Sequence, residues 1–166
     1  MPSKVYFKDV SSQESRKPAL SQILKYLPNY PKDSFVAIKL TVGDKNSRLF
    51  LKPELVKEVV EKVKSQGAKP FVFDTNVIYK GARMNAVDHL NLVYEKGFSS
   101  DKIGAPFIIA DGIFGLDGRE FNTDYKHIKK IKIPSFVGIV ENLIVLSHIT
   151  GHIMTSYAGA IKNVCM

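Results

Sequence analysis

Residues 35–42 read FVAIKLTV, a nearly continuous apolar run, and the predicted architecture is built outward from it. Such a run is typical of a β-strand that is buried on both faces of a parallel sheet. Its two polar residues, Lys39 and Thr41, lie near the carboxyl end. Because ligands bind beyond the carboxyl ends of strands in open α/β sheets, these two residues predict a site at that edge.

Strands of the same buried type recur along the chain and alternate with amphipathic helices. They are predicted at 70–73, 106–110 and 142–147. This alternation predicts an α/β fold, a mostly parallel sheet with helices on both faces. We expect one domain over residues 1–166, with a small β-ribbon near 119–133. Shorter patterns predict a strand at 4–10 and a short helix at 135–141.

The amphipathic pattern over 84–96 predicts a helix. His89 is expected at the boundary between its buried and exposed sides, and Arg83 could pair with Asp88 on its surface. Its inward residues are predicted to be Ala86, Val87, Leu90, Val93 and Tyr94.

The chain carries a formal net charge of +8 and one cysteine, Cys165. A single cysteine excludes an internal disulfide and favours the cytoplasm, and no run approaches the roughly 18 apolar residues of a membrane span. The positive charge favours an anionic partner: a small ligand, a redox protein or nucleic acid. Nucleic acid is the least favoured, because the basic segment KHIKKIK at 126–132 lacks interleaved aromatic residues that stack on bases.

The stretch SHITGHIMTSYAGAIKN, residues 147–163, follows the last predicted strand of the sheet and gathers imidazole, hydroxyl and ammonium groups. His148 or His152 could transfer a proton or bind a divalent metal, and Lys162 could hold an anion. These three residues are the candidate catalytic residues, and the two histidines are the candidate metal ligands. The candidate ligand-binding residues of the stretch are Tyr157, Gly159 and Asn163.

A plainer interpretation of this stretch is also open. Two histidines four residues apart are often just polar residues on one helical face or in a loop. The small residues before Lys162 can serve helix packing. A zinc or nickel site takes three or four ligands, and only His148 and His152 are visible locally.

Polar residues also follow the other predicted strands, and a parallel arrangement would bring them to the same edge of the sheet. Lys39 and Arg83 could hold a carboxylate or a phosphate there. Each residue also has a local explanation, since Asp74 and Asn76 are typical of Asx-turns. The candidate ligand-binding residues from these strand ends are Lys39, Asp74, Thr75, Asn76, Arg83 and Asp111.

Five blocks, in order along nearly the whole chain, read FVAIKL, KPFVFDTNVIYKGARMNAVDHL, GAPFIIADG, LIVLSHITGH and GAIKN. They closely resemble the domain of unknown function 362 family of uncharacterised proteins. Members of that family commonly carry cysteine-rich, ferredoxin-like segments after the block matched here by GAIKNVCM. The resemblance therefore implies a four-iron four-sulfur cluster in the full-length family pattern.

The sequence departs from that pattern at two points. A cluster of this type takes about four cysteine ligands, and this chain has one. We therefore expect the chain to be the N-terminal part of a longer protein, with a member lacking the cluster as the alternative. Thr41 stands where members often have a histidine, which weakens a metal role at that edge.

The spacing from His152 to Lys162, with Tyr157 and small residues between them, is similar to a block of the nickel-pincer lactate racemases. This shorter similarity implies that Lys162 is a cofactor-attachment or anion site. It implies that His152 is an acid–base group or a metal ligand. The paired glycines of the racemases are Gly159-Ala160 here.

These observations predict a redox or metal-dependent enzyme that acts on a small anionic compound at the carboxyl edge of the sheet. Two alternatives stay open. One is a non-catalytic binding or scaffold module that docks a redox partner through its basic surface. The other is nucleic-acid binding through 126–132. The sequence alone leaves open whether the protein is an enzyme.

Overall fold

The centre of the protein is a four-stranded, all-parallel sheet. Its order is β3 (Phe107–Ile109), β2 (Lys69–Asp74), β1 (Phe35–Leu40) and β6 (Asn142–Leu146). It is seen in a computed structural model that describes residues 3–166. The predicted parallel α/β architecture is confirmed. The strands are β1 (Phe35–Leu40), β2 (Lys69–Asp74), β3 (Phe107–Ile109), β4 (Arg119–Asn122), β5 (Lys130–Ile133), β6 (Asn142–Leu146), β7 (Thr150–His152) and β8 (Ser156–Ala158).

Helices cover the two faces of the sheet unequally. On one face, Val36, Ile38 and Leu40 of β1 join a single apolar core with the valines of α2 (Pro53–Lys64) and with residues of α3 (Ala86–Glu95) and α4 (Ser100–Ile103). On the other face, Phe136 meets Phe71 and Phe73 edge-on, at ring separations of 5.2 and 4.8 Å, and α5 contacts β1 and β6. The helices are α1 (Arg16–Ile23), α2 (Pro53–Lys64), α3 (Ala86–Glu95), α4 (Ser100–Ile103) and α5 (Ala160–Val164).

The order of the strands reverses direction beside β1. The chain runs from β1 outward through β2 and β3, and then crosses back to place β6 on the opposite side of β1. Connections leave the carboxyl ends of β1 and β6 in opposite directions at such a switch point, which opens a crevice for ligands. The fold therefore places a candidate site beyond Leu40 and Leu146.

Three local predictions are wrong. Residues 4–10 form no strand, because neither edge of the sheet pairs with them; Tyr6 instead stacks on Tyr26, with ring centres 3.8 Å apart. Residues 135–141 form turns with a Val137–Val140 bridge instead of a helix. Gly138 has a φ of +89° there, a conformation that interrupts a right-handed helix.

The third error concerns the face that α3 buries. Its range agrees with the prediction, but Val87 and Tyr94 are exposed, while Leu92 and His89 are buried together with Val93. The helix is thus rotated relative to the predicted stripe. A polar contact at the end of β2 explains this rotation, since His89 faces Asp74 there.

Two antiparallel ribbons accompany the sheet. The predicted ribbon near 119–133 is confirmed as the exposed pair β4–β5. A second ribbon, β7–β8, was not predicted and turns through residues 153–155. Along the part of the chain that the structure describes, no helix has the length and apolarity to cross a membrane.

Candidate functional site

A cavity of about 300 Å³ lies at the switch point, beyond the carboxyl ends of β1 and β6. That volume is at the small end of ligand pockets, so it suits a compound of modest size. Three segments line it: the loop after β1, the loop after β2, and the chain from the end of β6 to α5. The lining side chains that carry polar groups are Thr41, Asp44, Ser47, Tyr79, Arg83, Ser147, His148, Thr150, His152, Lys162 and Asn163.

The β7–β8 hairpin orients the His152 ring so that its Nε2 atom is the available hydrogen-bond donor. Its Nδ1 atom accepts the backbone N–H groups of Met154 at 3.2 Å and Thr155 at 3.3 Å. In the neutral imidazole the proton is then on Nε2. A metal-bound histidine usually donates its second N–H outward instead, so this arrangement suits contact with an anion better than ligation of a metal.

Helix α5 presents Lys162 to the same cavity. Its Nζ atom lies 3.1 Å from the thioether sulfur of Met166. Within residues 3–166 it forms no ion pair. Gly159, just before α5, is buried and also lines the cavity, and a Cβ at this position would collide with the Tyr157 hydroxyl. Tyr157 itself is exposed and lies outside the cavity lining.

Arg83 forms the opposite wall and is buried there. Its Nε and Nη2 atoms donate to Asp44 Oδ1 at 3.2 and 2.9 Å, and Nη2 also donates to the Tyr79 hydroxyl. The predicted surface pair of Arg83 with Asp88 is therefore wrong. Asp88 instead pairs with Asn85, the N-cap of α3: its carboxylate accepts from Asn85 Nδ2 at 2.7 Å, and its backbone N–H donates to Asn85 Oδ1 at 3.0 Å.

Behind the cavity, a buried polar network joins β1, β2 and α3. Lys39 donates to Asp74 Oδ1 at 2.6 Å, and both side chains are at most 4% exposed. The second carboxylate oxygen lies 3.5 Å from His89 Nε2 and 3.9 Å from Arg83 Nη1. Burial alone would raise the pKa of Asp74, but the adjacent His89 and the Lys39 ammonium more than offset it and hold that pKa below its usual value.

Asn163 connects this network to α5. Its Oδ1 accepts from Thr41 Oγ1 at 2.8 Å and Lys39 Nζ at 3.3 Å, and its Nδ2 donates to Leu146 O at 2.8 Å and Ser147 Oγ at 3.0 Å. All four hydrogen-bonding positions of the amide are therefore used. One side chain ties α5, which carries Lys162, to the ends of both central strands.

The remaining predicted residues of the strand ends serve a local structure outside the cavity. Asp111 accepts the backbone and side-chain N–H groups of Asn76 at 3.0 and 3.1 Å, which joins the chain beyond β2 to the chain beyond β3. Burial raises the pKa of Asp111, and the Asn76 backbone N–H opposes that rise. Thr75 is buried, and its hydroxyl has no hydrogen-bond partner in the described chain.

The twelve predicted site residues thus fall into two sets. The cavity lining contains His148, His152, Gly159, Lys162, Asn163 and Arg83. Outside that lining are Lys39, Asp74, Thr75, Asn76, Asp111 and Tyr157. In the first set, Arg83 follows β2 and the other residues follow β6, so the two strands on either side of β1 bring them to the same cavity.

Three residues important to this geometry were missed as site residues. Asp44 and Tyr79 lie in loops without a recognisable motif. Lys96 lies just after α3, and its ammonium donates to the backbone oxygens of Val42, Asp44 and Ser47 at 3.1, 2.7 and 3.1 Å. It therefore fixes the loop that carries Asp44, and no local signal marks it, because its partners are 49 to 54 residues away.

Because its pKa is lowered in the folded protein, Asp74 is expected to make the free energy of unfolding depend on pH in the acid range. A carboxylate whose pKa is lower in the folded than in the unfolded state stabilises the fold above its unfolded pKa, near 3.8. That contribution disappears as the pH falls below this value through the folded pKa. In urea unfolding between pH 6 and 2.5, the stability difference between wild type and Asp74→Asn should therefore narrow below about pH 3.8. A difference that stays constant over this range would contradict the assignment.

The residues present do not fit a metal or an iron–sulfur cluster. No group of three His, Cys, Asp or Glu side chains capable of holding a metal ion occurs within residues 3–166. The only cysteine, Cys165, is exposed, whereas a cluster takes about four such ligands. Either group would need ligands other than these.

The fold and the cavity define an α/β protein with an open parallel sheet and a polar pocket at its switch point. The family described as Domain of unknown function (DUF362) matches residues 36–166, and the chain belongs to that family. No curated protein and no solved structure matches the chain. The similarity to lactate racemases accordingly stays a prediction.

Proposed function

We propose that the switch-point cavity binds a small anionic organic compound, and that the protein acts on this compound as an enzyme. The observation that carries the proposal is the pair of donors on one side of the cavity. Lys162 brings an ammonium without a carboxylate partner among the described residues, and His152 brings an imidazole N–H whose direction is fixed by the hairpin. Charge-assisted hydrogen bonds of this kind are the strong ones in anion recognition.

Proton transfer is the chemistry that these residues supply by themselves. His148 is exposed at the cavity, and His152 is half-buried there. A histidine can exchange a proton near neutral pH, while Lys162 holds the charge of the compound. A redox or metal-dependent reaction, which the sequence predicted, would need a centre whose ligands are supplied from outside the described residues.

A docking module for a redox partner is the second candidate. It is supported by apolar side chains that are exposed near the cavity, just before the hairpin, on its turn and on α5: Ile149, Ile153, Met154, Ile161 and Val164. Such a module would bind no small anion in the cavity, so the experiment below separates the two. Nucleic acid stays the least favoured candidate, since Lys130 of the β4–β5 ribbon is already paired with Glu120 at 3.3 Å.

The test is isothermal titration calorimetry with acetate, succinate and methyl phosphate against single substitutions. Lys162→Met should lower the affinity for the best of these probes at least tenfold, because a charge-assisted bond contributes about 1.5–3 kcal/mol. His152→Ala should lower it severalfold. Lys126→Met, an exposed lysine of the ribbon loop, controls for the change in net charge. Unchanged affinity in both site variants would refute the proposed site.

A further inference from the structure

Arg83 is a buried cation in the cavity wall whose hydrogen-bonding capacity is only partly used. Its side chain is 3% exposed. Two of its nitrogens donate to Asp44 and Tyr79, while Nη1 has no hydrogen-bond partner in the described chain. A buried guanidinium of this kind is best satisfied by a carboxylate that accepts two parallel bonds.

Asp44 meets that requirement poorly. Both guanidinium nitrogens that reach it contact the same oxygen, Oδ1, at 3.2 and 2.9 Å, and the Tyr79 hydroxyl lies 3.3 Å from that oxygen as well. Its side chain is 62% exposed. The contact is therefore a single-oxygen interaction made by an exposed side chain from a loop, inside a cavity that has the size for a small ligand.

We infer that the Asp44 carboxylate binds the Arg83 guanidinium at the position that the carboxylate of a ligand would take. The cavity then selects small carboxylic acids, and their binding displaces the Asp44 side chain. This inference rests on the proposed function and adds to it the class of compound and the group that anchors it. The carboxylate would bond to Arg83, and Lys162 and His152 would contact the rest of the compound from the opposite wall.

The surroundings of Arg83 keep it in place during this exchange. Asp74 Oδ2 remains 3.9 Å behind Nη1, and Tyr79 remains bonded to Nη2, so the guanidinium stays oriented and compensated. Lys96 holds the backbone of Asp44 at 2.7 Å. The displacement therefore needs rotation of the Asp44 side chain alone, without opening of the loop.

The experiment compares wild type with Asp44→Asn and Asp44→Ala by calorimetry, using acetate, succinate and methyl phosphate. Both substitutions remove the negative charge that competes with the ligand, so each should raise the affinity for the carboxylates about tenfold. Asp124→Asn, an exposed aspartate in the ribbon loop, makes the same change in net charge and should leave the affinity unchanged. Thermal unfolding of each variant verifies that it is folded.

A second measurement uses wild type alone. Saturation with succinate should shift the carboxyl carbon resonance of Asp44, since this group loses its contact with Arg83. Equal or weaker carboxylate binding by both Asp44 variants, or an unshifted Asp44 resonance on saturation, would overturn the inference while leaving the proposed function intact. An equal gain for methyl phosphate would overturn the selection of carboxylates. Failure of every probe to bind wild type and variants would remove the proposed function, and the inference with it.

Discussion

Lys39→Met is expected to lower the free energy of unfolding by about 3–5 kcal/mol, the usual loss when one partner of a buried ion pair is removed. The substitution leaves the Asp74 carboxylate without the ammonium that lies 2.6 Å from it, in a site where neither side chain reaches solvent. Urea unfolding at pH 7 measures the effect.

Two variants sharpen this test. Lys17→Met removes an exposed ion pair with Glu58 and should change the stability by less than about 1 kcal/mol. The double variant Lys39→Met with Asp74→Asn removes both charges of the pair and keeps a polar side chain beside His89 and Arg83, so it should lose less stability than Lys39→Met alone. A Lys39→Met protein as stable as the Lys17→Met control would show that the pair does not hold the sheet edge together.

Asn163→Ala is expected to have the second largest effect, a loss of about 2–3 kcal/mol together with weaker anion binding. The substitution leaves the Leu146 carbonyl and the Thr41 hydroxyl without their partner, and each unsatisfied buried group costs about 1–3 kcal/mol. The loss is capped because α5 has only five residues, so it can detach locally while the sheet stays folded.

The same detachment would displace Lys162, so calorimetry with succinate should show at least a tenfold lower affinity. Val164→Ala is the matched control, because Val164 is an exposed neighbour on α5 and its truncation leaves the hydrogen bonds of Asn163 in place. Full anion affinity in a folded Asn163→Ala protein would mean that α5 is held by other contacts.

The sheet was predictable because each of its strands can be recognised from its own local sequence. FVAIKL is apolar at nearly every position, as is typical of a strand buried on both faces. The runs at β2, β3 and β6 are apolar as well, although Ile108 and Leu143 on the two outer strands are exposed. Parallel topology predicts that polar strand ends converge at one edge, and it correctly brings Arg83 to the same cavity as His152 and Lys162. It does not distinguish them from Asn76 and Asp111, which lie at the same edge but outside the cavity.

The buried network was not predictable, since nothing local distinguishes it. His89 has the spacing of a boundary residue on α3, and only the tertiary contact with Asp74, 15 positions earlier in sequence, explains its burial. Lys39 also looked like a free cation for an anion. In the folded chain its charge is used by Asp74 and Asn163, which are 35 and 124 residues away.

The hairpin β7–β8 could not be predicted from the sequence for a different reason. Each strand has three residues, too few for an alternating pattern to be recognised. Ser156, the first residue of β8, follows the turn with a φ of +57°, a position where glycine or asparagine would have marked the hairpin. The two histidines were therefore interpreted as loop or helix residues, although the hairpin is what orients His152.

Binding of a small anion at the switch point can be tested by an NMR titration of isotope-labelled protein with succinate. Saturable changes in backbone amide shifts are expected in residues 41–47 and 147–163, with a change at the Arg83 side chain and none in the ribbon at 119–133. Changes confined to the ribbon, or no saturable change at all, would refute binding at this site.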